Sequence, residues 1–448
     1  MNMNLKSIYT LLFGFVLLTS CDMLDIQPTG KVIPKTLAEY RALLNTSYKA
    51  VPSAARGLPG FRSDEMYVRN DSWDQNAYAA IERWDDYAAS GSTTPFPWKD
   101  FYSVIFTANY VIENRGNITE GSEQDIRQLV GECYLLRAYM HFLLVNLYGQ
   151  PYTRPGALNT KAIPLKMNSD INEVLSRNTV QEVYSQVLVD IDEASSLMYK
   201  ENWELEHSFR FSTLSATALK ARVYLYMGDW EKAYKESEAV LAKKHELSDL
   251  TLEAAEKCVL PNDFQSPEAI TSLEQVMSSN YNQAAAVSAT LLALYGEGDA
   301  RLALYFKEPD KAGDRFCLKG GKSQFRCTFR VGEFFLNAAE SAARNNLLPQ
   351  ARKRLLELMS KRYTAAAFVA KKQTVEAMNQ AELVEEIMKE RARELAFEGH
   401  RWFDLRRTTR PRIEKTLGNK KYVLQEDDIR YTLPIPKEAL AANPNLAN

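Results

Sequence analysis

Aromatic side chains crowd one stretch of this sequence, and their neighbours are groups that hold hydroxyls. Trp73 is followed by Asp74 and Gln75, and Trp84 is flanked by Arg83 and Asp85. The apolar C–H surface of a sugar ring stacks on an aromatic face, while carboxylate, amide and guanidinium groups fix its hydroxyls. An aromatic surface carrying arginine also suits peptide. Tyr67 and Tyr78 belong to the same stretch, and Tyr281 to a second stretch of similar texture. Tyr67, Trp73, Asp74, Tyr78, Arg83, Trp84 and Tyr281 are therefore the candidate ligand-binding residues, with packing in the interior as the competing role for the two tryptophans.

Other constellations point less far. Glu394, Glu398, His400 and Asp404 stand at spacings that would share a helix face, as a metal or acid–base cluster would require. Their competing reading is structural: with Glu390, Arg391, Arg393 and Arg401 they form charge pairs and caps that lock the last long helix to its neighbours. Gly399 interrupts any regular face there. A nucleophilic triad needs a serine or cysteine, a base and an orienting group, and four scattered histidines, His141, His207, His245 and His400, do not suggest one. No Gly-x-Ser-x-Gly elbow is present, and Gly320-Gly321-Lys322 lacks the glycine spacing of a phosphate loop. No cysteine–histidine spacing matches a zinc site. No catalytic residues, metal or cofactor are expected, and the chain reads as a non-enzyme.

The N-terminus carries an address. Lys6, an apolar run from Ile8 to Leu18 and small polar residues make residues 1–20 a secretory signal, too short for a typical transmembrane helix. The ending Leu18-Thr19-Ser20-Cys21 resembles a bacterial lipobox, so cleavage would leave Cys21 lipidated and residues 21–448 anchored to a membrane without spanning it. Cys133, Cys258, Cys317 and Cys327 would then sit in a compartment that tolerates disulfides. A hairpin at Gly320-Gly321 would bring Cys317 and Cys327 together as a disulfide, though sequence does not fix the connectivity.

The composition of the full 448-residue sequence is that of a large globular protein, 46% hydrophobic and 25% charged, with a net charge of −2. That balance gives no basic face for nucleic acid. Helical periodicity dominates. Thr36 with Glu39, Thr179 with Glu182 and Asn379 with Glu382 are capping boxes, and Val180, Val183, Tyr184, Val187 and Ile191 trace one apolar face. A long helix is predicted from Leu129 to Gly149. Trp98, Phe101, Tyr102, Ile105 and Phe106 fall at helical spacing and are assigned to the core. Two stretches read as helical hairpins, one turning at Gly228-Asp229 and one at Asn345-Asn346, with small residues at facing positions in a weak tetratricopeptide pattern. Between the helices, residues 57–98 and 255–330 are rich in glycine, proline and aromatics without a period, which makes them the natural place for binding surfaces.

Several motifs carry a resemblance that spans most of the mature chain. Residues 390–407, reading ERARELAFEGHRWFDLRR, the tail Leu433-Pro434-Ile435-Pro436, and Asn443-Pro444-Asn445-Leu446 resemble the C-terminal signatures of SusD/RagB lipoproteins. Only Ala447 stands where that ending usually has glutamine. Gly131-Glu132-Cys133-Tyr134-Leu135-Leu136-Arg137-Ala138-Tyr139 and Tyr148-Gly149-Gln150-Pro151 fall in the family's order. The resemblance implies a mainly α, tetratricopeptide-like scaffold with long irregular ligand-binding loops. It also implies an outer-membrane lipoprotein facing the cell exterior of a Bacteroidota-type bacterium, with a SusC-like TonB-dependent transporter as partner and an oligosaccharide or oligopeptide as ligand. Asp22 and Asp25 resemble the family's surface-export signal. The ligand loops vary within the family, so no contact residue transfers by motif. The alternative is a lipid-anchored scaffold that organises envelope proteins and binds no small ligand.

Overall fold

The computed structural model describes residues 33–72, 74–86, 92–251 and 259–447. The signal segment, Cys21, Asp22, Asp25, Trp73 and Cys258 lie outside the described residues. The chain is mainly helical. Among the described residues ten helices exceed ten residues: α1 (Leu37–Lys49), α2 (Lys99–Glu113), α3 (Glu123–Tyr148), α4 (Val180–Leu197), α5 (Thr213–Met227), α6 (Trp230–Lys243), α7 (Val331–Arg344), α8 (Leu348–Met359), α9 (Ala365–Ala377) and α10 (Gln380–Glu394).

The capping boxes sit where the sequence places them. Thr36, Thr179 and Asn379 each accept the N–H of the glutamate three residues on, and each glutamate reaches back to the cap. Gly228 ends α5 in the left-handed region at φ 74°, which frees the chain to turn, and the Asp229 carboxylate then caps α6. The second hairpin turns at Asn345 and Asn346 between α7 and α8.

Neighbouring helices pack in sequence order from α1 to α6, and α7 joins the row against α6, with α8 and α10 on its other sides. α3 is buried along nearly its whole length from Gln128 to Tyr148, because it is sandwiched between α2 and α4. A side chain at Gly131 would bring its Cβ to 2.6 Å from Met198 Cγ, so glycine lets the end of α4 close on α3. Buried Ala218 and Ala221 on α5, Ala233 on α6, and Ala338, Ala339 and Ala342 on α7 leave room for close helix contact at the seam. Phe106 departs from its predicted place: it is 37% exposed, because α2 turns Phe101, Val104, Ile105 and Ala108 inward and Phe106 falls on the flank.

Between α6 and α7 the chain leaves the stack for residues 244–330 and then returns to it. This excursion meets residues 54–86, and together they hold a second apolar cluster that includes Leu58, Phe61, Tyr78, Ile81, Val287, Tyr305, Phe306 and Phe397. Here the elements are short. β1 (Met66–Val68) pairs antiparallel with β3 (Ala285–Val287), Tyr67 opposite Ala286, and β2 (Ala269–Thr271) pairs with β4 (Phe329–Arg330). A C-terminal hairpin, β5 (Ile413–Leu417) and β6 (Lys420–Leu424), follows the short helix Arg401–Arg407 and precedes another at Lys437–Ala442. Among the described residues no helix is long and apolar enough to cross a membrane.

The expected Cys317–Cys327 disulfide is corrected by the structure: both are buried free thiols. Residues 318–326 do not close as a hairpin. Gly321 N–H donates to Met277, Phe264 N–H to Gln324, and Cys327 N–H to Glu274, so this backbone is spent on other segments, and Cys317 pairs instead with Phe306.

Candidate functional site

The short elements need a rigid seat, and a buried web of charge supplies it. Glu394 accepts from three guanidiniums, those of Arg301 at 3.0 Å, Arg330 at 2.8 Å and Arg362 at 2.8 Å. Glu268 holds Arg330 and Arg362 from the other side, at 2.9 and 2.6 Å. Glu398 takes Arg330 at 2.7 Å and the Lys319 ammonium at 2.5 Å. Arg56 donates to Glu274, to the carbonyls of Cys327 and Glu398, and to His400 Nε2. Burial, reinforced by Arg56 and other nearby guanidiniums, holds the His400 imidazole well below its usual range, so it is neutral and accepts that bond. Burial alone would raise the Glu394 carboxyl, but Arg362 and Arg330 overcome it and hold it far below the carboxylate range.

Glu394, Glu398, His400 and Asp404 are thus committed to structural pairs, Asp404 with Arg391 at 3.0 Å and Arg407 at 2.8 Å. Among the described residues there is no cluster of metal-ligating side chains. Removing one partner from such a buried set strands the others without solvent.

On this seat the two aperiodic segments meet. Along the strand backbone Tyr67 and Arg69 project to the same side, two residues apart. Asp314 and Phe316 meet them from the second segment. The Tyr67 hydroxyl donates to Asp314 Oδ1, and the Arg69 guanidinium lies 4.7 Å from the centre of the Phe316 ring. Arg69 also donates to Asp71 at 2.7 Å and lies 3.9 Å from Asp314. All four side chains are half-buried, so their edges and faces remain at the surface. Burial and the Asp314 carboxylate push the Tyr67 phenol up, keeping it a hydrogen-bond donor at neutral pH. An aromatic face, a guanidinium and a carboxylate within one patch is a constellation that can stack a ring and fix its hydroxyls.

Of the sequence candidates, Tyr67 stands in this patch. Tyr78 is buried beneath it, stacked on Phe61 at 5.0 Å with Tyr281 edge-on at 5.6 Å. Tyr281 is half-buried and closes one side of that aromatic group. Trp84 is 2% exposed and donates its indole N–H to the Arg62 carbonyl at 2.9 Å, so it packs and offers no face to a ligand. Asp74 is nearly buried and accepts from the Ser72 hydroxyl, while Arg83 pairs at 3.5 Å with Asp85 on the surface. Trp73 lies outside the described residues. Arg69, Asp314 and Phe316 were not among the candidates; the alternation Tyr67-x-Arg69 next to a strand was the available signal for the first of them.

A cleft of about 940 Å³ opens beside the patch, with Tyr67 and Met66 at one end, the outer face of α10 as one wall and β5 as the other. Lys415 anchors β5 there: its ammonium donates to the carbonyls of Phe61 and Met66 at 2.5 and 3.0 Å. Burial lowers it to about 8, opposed by Glu82.

Comparison with known proteins bears on most of the chain. Residues 22–225 match a family model described as "Starch-binding associating with outer membrane", and residues 303–448 match one described as "SusD family". SusD-like protein P38 of Formosa agariphila is 29% identical over 239 residues, 51% of this chain and 44% of that protein. SusD-like protein P2 of the same organism is 27% identical over 327 residues, 65% of this chain and 59% of that protein. The chain thus spans about half the length of the curated relatives it matches. In structure it is similar to a SusD superfamily protein from Bacteroides fragilis, with a TM-score of 0.78 at 21% identity, covering 92% of this chain and 99% of the other. A laminarin binding SusD-like protein gives 0.62 at 19% identity, covering 91% and 98%. At these identities the likeness is one of fold.

Proposed function

This chain belongs to the SusD/RagB family, and from that premise we propose that it is a surface lipoprotein which captures an oligosaccharide and passes it to a SusC-like TonB-dependent transporter. In this reading residues 1–20 are removed, Cys21 carries the lipid anchor in the outer membrane, and residues 21–448 form one helical domain. The observation that carries it is the junction of the two loop segments. Tyr67 and Arg69 from one, and Asp314 and Phe316 from the other, combine a stacking face with hydroxyl-fixing groups on a rigid, charge-locked seat. Two structural neighbours, a laminarin binding SusD-like protein and a surface glycan-binding protein from Bacteroides fluxus, support a glycan over a peptide. The family requires no catalytic group, and the acid-rich signature is consumed by ion pairs.

Capture at the patch would raise ligand concentration at the transporter mouth, and the transporter's own coupling would drive uptake. The test is a calorimetric titration of the chain from Asp22 onward against oligosaccharide and oligopeptide panels, with Arg69→Ala, Phe316→Ala and Trp73→Ala alongside. Saturable oligosaccharide binding, weakened at least about tenfold (1.4 kcal/mol) in Arg69→Ala and Phe316→Ala, is expected. Binding confined to peptides would sink the glycan reading, and binding of neither would favour an envelope scaffold without a small ligand.

A further inference from the structure

The cleft beside the patch has a composition of its own. Its floor is apolar, with Leu294, Val384, Met388, Leu405 and Ile413, and its rim carries the hydroxyls of Thr290, Thr408, Thr409 and Thr416. The charged side chains between them are already committed. Asp64 receives both arms of Arg401, at 2.7 and 2.8 Å. Glu414 receives Arg412 and Lys421, each at 2.8 Å. Lys389 pairs with Glu385 at 2.7 Å and Arg344 with Glu340 at 3.0 Å. Lys415 is spent on two backbone carbonyls, with the Glu82 carboxylate 3.9 Å away.

At the exposed pairs of Glu414 and Lys389 solvent screens what a ligand of fixed charge could gain. At Asp64 and Arg401, which are largely buried, such a ligand gains only by displacing a partner, and the displaced group then stands half-desolvated and unpaired. Hydroxyls face no such cost. A carboxylate held by one guanidinium still has lone pairs to accept with, and a guanidinium has more N–H groups than one carboxylate uses. The apolar floor covers the C–H faces of a ring while these groups and the threonines meet its rim.

We infer that this cleft, between α10 and the C-terminal hairpin, is a second ligand site continuous with the loop junction at Tyr67, and that it takes an uncharged, hydroxyl-rich chain and turns polyanions away. The inference rests on the capture reading above and adds to it a second site and a ligand class. Ion pairs that neutralise the cleft are then specificity elements: releasing one cation from its carboxylate would create the anion site that the native chain lacks.

The experiment uses the chain from Asp22 onward, titrated with neutral hexasaccharides of glucose, mannose and xylose in α and β linkage, and with hexagalacturonate as the acidic probe. Thr409→Trp fills the cleft from an exposed rim position, and Arg69→Ala disables the loop junction. Asp64→Asn releases Arg401. Glu414→Gln, at an exposed position on the hairpin, releases Arg412 and Lys421 and serves should Asp64→Asn fail to fold. The expected result is a neutral hexasaccharide that binds the native chain and is weakened about tenfold by Thr409→Trp. Hexagalacturonate should not bind the native chain but should bind Asp64→Asn or Glu414→Gln with an affinity that falls as salt rises. Native binding of hexagalacturonate as tight as that of any neutral chain would overturn the inference, as would neutral binding that Arg69→Ala weakens and Thr409→Trp leaves intact. If no hexasaccharide binds at all, the capture reading itself has failed, which is a different outcome from either.

Discussion

The helical stack and the loop side of this molecule are held together by the same two forces in different proportion. Along α3, α5 and α7 most contacts are alanine, leucine, valine and aromatic side chains at helical spacing, so apolar burial dominates and a few buried pairs such as Arg137–Asp190 and Arg222–Glu333 are set within it. The loop side has few long elements and a smaller apolar cluster, and its segments converge on Glu268, Glu394 and Glu398 with their guanidiniums. Apolar packing tolerates small displacements, whereas a bidentate ion pair fixes distance and angle together. A surface meant to hold a ligand on aperiodic segments gains from the second kind of support, because each segment is pinned at a point and needs no long partner element.

Substitutions that break one side should look different from those that break the other. Glu394→Gln leaves Arg301, Arg330 and Arg362 undercompensated in the interior, and a loss of about 3–5 kcal/mol is expected in denaturant unfolding. A loss under about 1 kcal/mol would mean that the web is ornamental. Leu136→Ala, fully buried in α3, should cost about 2–5 kcal/mol by opening a cavity in the stack, with no change in the pH dependence of stability.

Acid tests the buried ion pairs, on α7 of the stack as well as on α10, without mutation. Glu390 would be raised by burial, but Arg301 and Arg393 pull it down to about 2, and Arg407 does the same for Glu340. A depressed carboxyl stabilises the fold fully above the unfolded value of 4.5, and that contribution fades as pH falls through about 2. Stability should therefore drop between about pH 4.5 and 2, by roughly 3 kcal/mol for each such group, and Glu390→Gln should flatten the profile in that window. An unchanged profile would contradict the assignment. Thr179→Ala removes one capping bond from α4 and should cost about 1 kcal/mol, read as a small fall in melting temperature. At the bottom of the scale, Arg315→Ala breaks a surface pair with the largely exposed Glu308 and a bond to the Lys307 carbonyl, and should change stability by less than about 1 kcal/mol.

The same contrast decides what could be read in the sequence. Period, capping boxes and the two hairpin turns are local signals, so α1, α3, α4, α10 and the α5–α6 and α7–α8 pairs were legible, as was the structural role of the acid-rich signature. Phe106 shows the limit on that side: a run of aromatics at mixed spacing does not say where the inward face ends. Contacts such as Tyr67 with Asp314 or Arg56 with Glu274 join residues hundreds of positions apart and leave no local trace. The candidate site was accordingly only partly legible. Tyr67 was found, Trp84 and Tyr78 were drawn by the same aromatic signal although they pack inside, and Arg69, Asp314 and Phe316 emerged only when the two segments were seen side by side. Cys317 and Cys327 teach the same lesson in reverse, since a glycine pair between them suggested a hairpin that long-range backbone bonds prevent.

The central claim is that the loop junction is there to bind and the web beneath it to hold. Phe316→Ala tests it most directly, with a thermal melt and a calorimetric titration run on the same sample. The expected result is a melting temperature within about 2 °C of the native chain, as for a half-exposed side chain, together with a loss of affinity of about tenfold or more for the best oligosaccharide. A large fall in melting temperature with oligosaccharide affinity unchanged would contradict it, and would make the junction part of the scaffold.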